Sequence, residues 1–279
     1  MVPEEDAIST RPDAKAVKRR AAILVHIFLK ALATPPAPML ERLASESAES
    51  ERSKFIGKLQ ENFAKQKEKL LDGGLWQDME ETEREFMDAG PFEITMRHRI
   101  DASWLAESIM CLLWSLRRKE HISPYDQEAG LRPGKAQSGN PLRDLAMSLL
   151  APFSSDGTST GAVTLRSEAE IDRERDWAEL WHWRCRTHML LTTKKIPDAL
   201  PDGTPMTEII RMTAEKAARE GVFVQTIGGD FPVFGKAFRD VSGDELSQLT
   251  SIAMERHKAL NWLCGYAPGN RWSNTPTDT

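Results

Sequence analysis

Three charged residues of the sequence lie within otherwise apolar helical faces, and they are the residues best placed to do chemistry. Glu107 shares a predicted helix face with Trp104 and Cys111, at spacings of three and four residues. Glu255 and Arg256 fall inside the apolar face of the last predicted helix. Apolar surroundings raise the pKa of a carboxyl group, which can then act as a general acid or base, and an arginine beside it can bind an anionic group. The candidate catalytic residues are therefore Glu107, Glu255 and Arg256.

The same charged residues also fit a structural role without catalysis. A buried charge without a partner costs several kcal/mol, so we expect Arg256 to meet a carboxylate of another helix, either Glu107 or Asp176. Together with Glu255, these residues form a predicted charged cluster. The cluster either holds three helices in register as a buried network or lines a cleft, and the sequence leaves both possibilities open.

Tryptophan is unusually frequent, with eight tryptophans against two tyrosines. Six of them predict a tryptophan-rich core, namely Trp104, Trp114, Trp177, Trp181, Trp183 and Trp262. Each buried indole N–H needs an acceptor, and we expect the buried carboxylates Glu107, Asp176 and Glu255 to supply some of these. His257 falls at the edge of the apolar face of its helix, and we expect it to be half exposed.

The familiar metal and nucleotide motifs do not account for this sequence. His182, Cys185 and His188 recur every three residues, but each step turns by about 60° around a helix, so the first and third are poorly placed to share an ion. The string GLRPGK at 130–135 lacks the spacing and the Ser or Thr of a phosphate-binding loop. We therefore expect no metal and no cofactor.

Composition and charge narrow the class of protein. The chain has 279 residues with 37 basic and 42 acidic side chains, a net charge of −5, which argues against a nucleic-acid partner. Three widely spaced cysteines without a Cys-x-x-Cys pair fit a reducing compartment. The apolar run within 15–33 is interrupted by His26 and Lys30 and is too short to span a membrane. We expect a soluble, cytoplasmic protein without a membrane partner.

Helical periodicity dominates the chain. The predicted helices span about residues 13–33, 78–88, 97–119, 141–150, 167–192, 204–221 and 243–264, with a solvated helix pair at 39–71. Capping boxes start two of them, Ser167 with Glu170 and Ser242 with Glu245. Residues 222–238 read as two β-branched apolar runs joined by GGD at 228–230, which predicts a β-hairpin.

These elements predict a mainly α fold, a compact multi-helix single domain with one small β-hairpin. We expect a flexible N-terminal segment at 1–12 and one helical domain at 13–279. A Gly-, Pro- and Ser-rich stretch at about 121–165 is expected to form a loop-rich insertion in that domain.

Three strings resemble parts of a known family. SIAMERHKALNWLCGY (251–266), followed by RWSNTPTDT, is similar to the closing signature of the bacterial domain-of-unknown-function family numbered 4272. The matching positions are Glu255, Arg256, Ala259, Leu260, Asn261, Trp262, Leu263, Trp272, Asp278 and Thr279. LRSEAEIDRERDWAELWHWRCRT resembles the family's middle helix, with Asp176, Trp183 and Arg186 at matching places. RHRIDASWLAESIMCLLWSL resembles its apolar helix, but opens with RHR at 97–99 where the family has Trp-Arg and an acidic residue.

The resemblance implies one domain from about residue 13 to the end, and it implies no activity. Two functions therefore remain. The absence of a recognised catalytic set and the acidic, charge-rich surface favour a non-catalytic interaction or accessory protein of immunity type, with a protein partner. The alternative is a metal-independent hydrolase or transferase that acts on an anionic small molecule through Glu107, Glu255 and Arg256. The enzyme requires a cleft that reaches all three residues.

Overall fold

The computed structural model describes residues 10–46, 49–130 and 164–279. Its helices are α1 (Ala14–Ala33), α2 (Ala37–Glu46), α3 (Glu49–Asp72), α4 (Glu81–Asp88), α5 (Met96–Ser115), α6 (Glu168–Thr192), α7 (Met206–Arg219) and α8 (Gly243–Leu263). Its strands are β1 (Pro232–Val233) and β2 (Lys236–Ala237). The described chain is therefore mainly α with a small hairpin, as the sequence predicts. The predicted helix at 141–150 lies outside the described residues.

The middle of the fold is a row of packed helices. α5 packs against α1 on one side and against α8 on the other, and α8 also packs against α6. One apolar cluster fills the space between α1, α5 and the C-terminal half of α8. A second cluster forms where Trp181 and Cys185 of α6 meet Phe231 and Phe238. Because α8 contributes to both clusters, its side chains face α5 and α6.

Local signals explain where the long helices begin. Ser167 Oγ accepts the N–H of Glu170, while the Glu170 carboxylate accepts the N–H of Ser167. Ser242 and Glu245 make the same reciprocal pair at the start of α8. Both predicted capping boxes are confirmed. Each satisfies backbone N–H groups that have no partner inside the first turn of a helix.

The hairpin is shorter than predicted, and its turn lies elsewhere. β1 and β2 are antiparallel, with Pro232 opposite Ala237 and Val233 opposite Lys236, so the turn is formed by Phe234 and Gly235. The expected turn at 228–230 exists only as a tight reversal, in which Ile227 and Asp230 exchange two backbone hydrogen bonds of 3.0 Å. The prediction that 222–227 forms a strand of the hairpin is wrong.

The physical reason is the side chain of Asp230. Its carboxylate accepts the backbone N–H of Phe231 at 2.7 Å and that of Arg239 at 3.0 Å. The N–H of Phe231 is then not available to a β-ladder with residues 222–227. The carboxylate also faces α6, which directs this part of the chain into the core rather than along a strand pair.

Candidate functional site

α5 and α8 bring Glu107 and Arg256 into a buried ion pair. Arg256 Nε lies 2.9 Å and Nη2 2.8 Å from Glu107 Oε2, and the two side chains are 0% and 1% exposed. The other carboxylate oxygen, Oε1, accepts the backbone N–H of Ala129 at 2.7 Å. Burial raises the pKa of Glu107 above its ordinary value, although the charge of Arg256 and the bond from Ala129 act in the opposite direction. Of the two carboxylates expected for Arg256, the structure places Glu107 against it.

The rest of the Arg256 guanidinium holds the loop that follows α5. Nη1 donates to the carbonyl of Ser123 at 2.6 Å, and Nη2 donates to that of Gln127 at 2.9 Å. The guanidinium also lies over the ring of Tyr125, 4.8 Å from its centroid. Each of its three nitrogens therefore has an acceptor inside the protein, and the pair is closed to a ligand.

Asp176 does not join this pair. Its side chain is 67% exposed and accepts a hydrogen bond from Arg175 Nη1 at 2.9 Å. The expectation that Asp176 is buried is wrong, because α6 turns its buried face, which includes Ala178, Trp181 and Cys185, toward the core. Residue 176 precedes Ala178 by about 200° around the helix and so lies on the opposite side.

Glu255 points to a different place from its neighbour Arg256. Its carboxylate accepts a hydrogen bond from Ser108 Oγ at 2.7 Å, and it lines a cleft between α4, α5 and α8. Burial raises the pKa of Glu255 above its ordinary value, while the charge of Lys258 and the Ser108 hydroxyl act against this rise. The three candidate catalytic residues are thus divided between a closed pair and a cleft.

We call this cleft the acidic cleft. Its volume is about 530 Å³, and its wall includes apolar side chains of α1, α4 and α5 together with the ring of Trp272. Its carboxylates are Glu80, Glu83, Glu85, Asp101 and Glu255. Two of them already have arginine partners, since Arg20 binds Glu83 at 2.6 Å and Arg97 binds Asp101 at 2.8 Å. Of the others, Glu80 accepts the backbone N–H of Ser273 at 3.1 Å, and the charge of Lys258 acts on Glu255.

His257 is buried, and the expectation that it is half exposed is wrong. Its Nδ1 lies 3.2 Å from His182 Nδ1, and its Nε2 lies 2.9 Å from Asn261 Nδ2. Burial lowers the pKa of His257 to about 4. Periodicity places His257 at the edge of the apolar face, but α6 packs against that side of α8 and buries it.

The predicted tryptophan core is divided by burial. Trp114, Trp181 and Trp262 are buried. The other three are half buried, namely Trp104, Trp177 and Trp183. The indole of Trp262 donates to the backbone carbonyl of Asn270 at 3.0 Å, so its acceptor is not one of the expected carboxylates. Trp181 belongs to the second apolar cluster, so the tryptophans mark two parts of the core rather than one.

A second buried ion pair was missed at the level of sequence. Arg184 of α6 binds Asp230 with both ends of its fork, Nε to Oδ1 at 2.8 Å and Nη2 to Oδ2 at 2.7 Å, and both side chains are 2% exposed. Burial by itself would raise the pKa of Asp230. The bonds from Arg184 and from two backbone N–H groups outweigh it, so the pKa lies below its ordinary value. The available signal was an arginine one residue before Cys185, on the buried face of α6.

The described residues give no support to a metal centre or a membrane span. Among residues 10–46, 49–130 and 164–279, no three His, Cys, Asp or Glu side chains are grouped so that they could hold a metal ion. In the same part of the chain, no helix has the length and apolar character needed to cross a bilayer.

Comparison with known proteins gives one match. A family model described as "Domain of unknown function (DUF4272)" matches residues 1–207. The matched part includes α5 and α6, which carry two of the three strings that resemble the family, and it ends before α8. No curated protein and no solved structure matches the chain.

Proposed function

The chain belongs to the DUF4272 family, whose description names no activity, and we propose from its own geometry that it is a non-catalytic interaction protein of accessory or immunity type. The observation that carries the proposal is the acidic cleft, in which carboxylates surround an apolar floor. We propose that the partner is a protein segment that presents Lys or Arg beside an apolar side chain.

The charges of the acidic cleft support a basic partner. Glu83 is paired with the nearly buried Arg20, whereas the pair of Asp101 with Arg97 is exposed and weak. Glu80, Glu85 and Asp101 therefore leave the rim negative against the single charge of Lys258. Glu85 is exposed at the rim, where it meets solvent or a partner. A net negative rim attracts a basic segment during encounter and disfavours an acidic one.

The floor of the acidic cleft supports an apolar contact as well. Phe86 and Leu105 are half buried, and their side chains line the cleft beside the buried ring of Trp272. Interfaces commonly place an apolar or aromatic anchor in such a pocket and surround it with a polar rim. The apolar floor and the acidic rim together fit a short protein segment that carries both kinds of side chain, rather than a free cation.

The contacts of Glu107 and Arg256 count against the alternative, a metal-independent hydrolase or transferase for anionic small molecules. Arg256 would have to bind the anionic group, but its nitrogens are occupied by Glu107 and by backbone carbonyls. Glu255 is the one candidate of the three that lines the acidic cleft, and the negative rim there repels an anion.

We place this function in the cytoplasm. The three cysteines, Cys111, Cys185 and Cys264, are free and buried. Burial raises the pKa of all three thiols well above the ordinary value, so they stay protonated and unreactive. Structural thiols of this kind suit a reducing compartment.

The direct test is selection from a random 12-residue peptide library displayed on phage, with the full chain as bait. We expect the enriched peptides to combine Lys or Arg with an apolar residue, and to bind more weakly as salt increases. The cleft variant carries Glu85→Lys and Asp101→Lys, and we expect it to bind the enriched peptides at least about tenfold more weakly by fluorescence polarisation. The control carries Glu61→Lys and Glu68→Lys on α3, which gives the same change in charge outside the cleft.

The outcome separates the proposal from its competitors. Equal weakening in the cleft variant and in the α3 control would mean that general attraction to an acidic protein explains the binding. Enrichment of acidic or uncharged peptides, or no enrichment, would overturn the proposal. Turnover of an anionic small molecule that disappears in Glu255→Gln would favour the enzyme instead.

A further inference from the structure

A second cleft, which we call the Arg184 cleft, lies between the C-terminal half of α6, the start of α7 and the turn at 228–229. Its volume is about 540 Å³, within the range of small-molecule sites. Its lining includes Arg184, His188, Lys194, Thr207 and Arg239. None of these residues lines the acidic cleft, so the two clefts can be tested separately.

The first observation is an unused donor on a buried arginine. Nε and Nη2 of Arg184 are bound to Asp230, and the guanidinium lies over the ring of Phe238, 4.3 Å from its centroid. Nη1 is buried and has no hydrogen-bond partner among the described residues. A buried donor without an acceptor is costly. Arg184 is thus held rigidly in the wall of a cleft with a spare donor, which fits an acceptor that the described residues do not supply.

The second observation is the position of Arg239. Its Nη1 donates to the carbonyl of Gly228 at 3.0 Å. A Cβ atom on Gly228 would lie 2.7 Å from Nη2 of Arg239, so the guanidinium packs where this glycine leaves room for it. Gly228 also has a φ of +58°, a conformation that other residues adopt rarely. Gly228 therefore leaves room for a second guanidinium at the Arg184 cleft, and its carbonyl binds Arg239 there.

The balance of charge in the Arg184 cleft is positive. Asp230 is neutralised by Arg184, and Asp198 lies 3.2 Å from Lys194. The positive charge of Arg239 has no ion-pair partner among the described residues. The first turn of α7, which includes Met206 and Thr207, also lines the cleft, and the N–H of Met206 is already bound to the carbonyl of Asp198 at 2.8 Å. The positive end of the helix dipole adds to the attraction for an anion.

We propose that the Arg184 cleft binds the oxyanion group of a small molecule, a phosphate or a carboxylate, between Arg184, Arg239 and the start of α7. Guanidinium groups suit planar or tetrahedral oxyanions because their N–H donors are arranged as a fork. Leu191, Met206 and Ile210 also line the cleft and provide an apolar surface for the body of the ligand. This site goes beyond the proposed function, because it takes an anion and the acidic cleft takes a basic segment.

The test uses the wild-type chain and two simple probes, inorganic phosphate and acetate. Each is titrated while the ¹H–¹⁵N signals of the arginine side chains are followed by NMR. We expect the Arg184 and Arg239 signals to shift and saturate, and the probe that saturates at lower concentration identifies the preferred oxyanion. The signal of Arg256 is the internal control and should stay in place, since that guanidinium is closed.

The variant Arg239→Gln should weaken binding of the preferred probe at least about tenfold, the effect of losing a charged hydrogen bond. Arg219→Gln is the matched control, because it removes the same charge from the last residue of α7, about 20 Å away along the helix. We expect unchanged binding in that variant. Both positions are exposed, so neither change should unfold the chain.

Three outcomes would overturn the proposal. The first is that neither probe shifts the Arg184 and Arg239 signals. The second is a linear, unsaturated shift that appears equally at Arg219, which indicates general screening by salt. The third is equal binding by Arg239→Gln and the wild type. Loss of peptide binding in the acidic cleft would leave this proposal standing, since the two experiments use different residues and probes.

Discussion

Arg256 and Arg184 are both almost completely buried against carboxylates, and the two pairs differ in what their remaining N–H donors bind. Arg256 binds Glu107 and uses its other N–H groups on the carbonyls of Ser123 and Gln127. Arg184 binds Asp230 with two nitrogens and leaves Nη1 without a partner among the described residues. The first pair is fully hydrogen-bonded and links α5, α8 and the loop that follows α5. The second pair is incomplete and lies at a cleft.

The carboxylates differ as well. Asp230 receives the two-pronged fork of Arg184 and two backbone N–H groups. Glu107 receives Arg256 on a single oxygen and one backbone N–H on the other. The pKa of Asp230 is therefore lowered and that of Glu107 is raised, although both are buried. Burial alone does not decide the state of a carboxyl group. The hydrogen bonds and charges around it also contribute, and at Asp230 they outweigh burial.

The largest expected effect is that of Arg256→Ala. The change leaves Glu107 buried without its partner and releases the loop at 123–127, so it should lower the free energy of unfolding by about 3–5 kcal/mol in urea denaturation. Arg186→Ala, an exposed arginine on α6, is the control and should change it by less than about 0.5 kcal/mol. A loss below about 1 kcal/mol for Arg256→Ala would contradict a sealed pair.

Arg184→Ala should have a smaller effect on stability. Asp230 keeps the N–H groups of Phe231 and Arg239, and the adjacent cleft admits water, so we expect a loss of about 2–3 kcal/mol. The measurement is again urea denaturation, with Arg186→Ala as the common reference. A loss equal to that of Arg256→Ala would remove the energetic difference between the two pairs.

The contributions of the two carboxyl groups to the free energy of unfolding should change with pH in opposite directions. The folded pKa of Asp230 lies below its ordinary 3.8, so the unfolded chain takes up this proton first and the stabilisation is lost as pH falls through the folded pKa. The folded pKa of Glu107 lies above its ordinary 4.5, so the folded chain takes up this proton first as pH falls. The stability that this proton contributes is lost as pH rises from about 4.5 through the folded pKa.

The check is the unfolding free energy of the wild type minus that of Asp230→Asn, and minus that of Glu107→Gln, between about pH 2 and pH 7. Toward acid, the first difference should shrink and the second should grow. If both differences changed with pH in the same direction, the pKa values of the two carboxyl groups would be shifted in the same direction. That result would contradict the contrast between the two pairs.

The smallest expected effect is that of Arg239→Gln on stability, below about 0.5 kcal/mol, because Arg239 is an exposed side chain. Arg239→Gln should change the free energy of unfolding measurably only when phosphate or acetate is present. At ten times the dissociation constant, phosphate or acetate should raise the unfolding free energy of the wild type by about 1.4 kcal/mol. Arg239→Gln should show much less of this increase. An equal increase in both proteins would place the anion elsewhere.

The helices could be predicted closely because their signals are local. Capping boxes act across three residues, and the Pro-rich string at 35–38 follows the end of α1 within a few residues. The burial of Asp176 and His257 was predicted wrongly for the opposite reason. Whether a face of α6 or α8 meets solvent depends on the helix packed against it, and helical periodicity gives no information on that neighbour.

The candidate site was predictable in part. Arg256 could be recognised as a buried charge, but its partner lies 149 residues away and either of two carboxylates fitted the spacing. Asp230 looked like a turn residue, since GGD between apolar runs is typical of a hairpin. Its burial depends on Arg184, 46 residues earlier in the chain, and on the backbone N–H groups that its carboxylate binds.

The sequence by itself determined a mainly α chain, where its long helices begin, and which helices carry charge inside apolar faces, because capping, periodicity and composition act within a few residues. The tertiary structure decided which charges meet and which donors are left over. Those outcomes depend on the crossing of α5, α6 and α8 and on the turn at 228–229, where a difference of one ångström makes or breaks a hydrogen bond. All three guanidinium nitrogens of Arg256 are hydrogen-bonded, whereas Nη1 of Arg184 has no acceptor in the part of the chain that the structure describes.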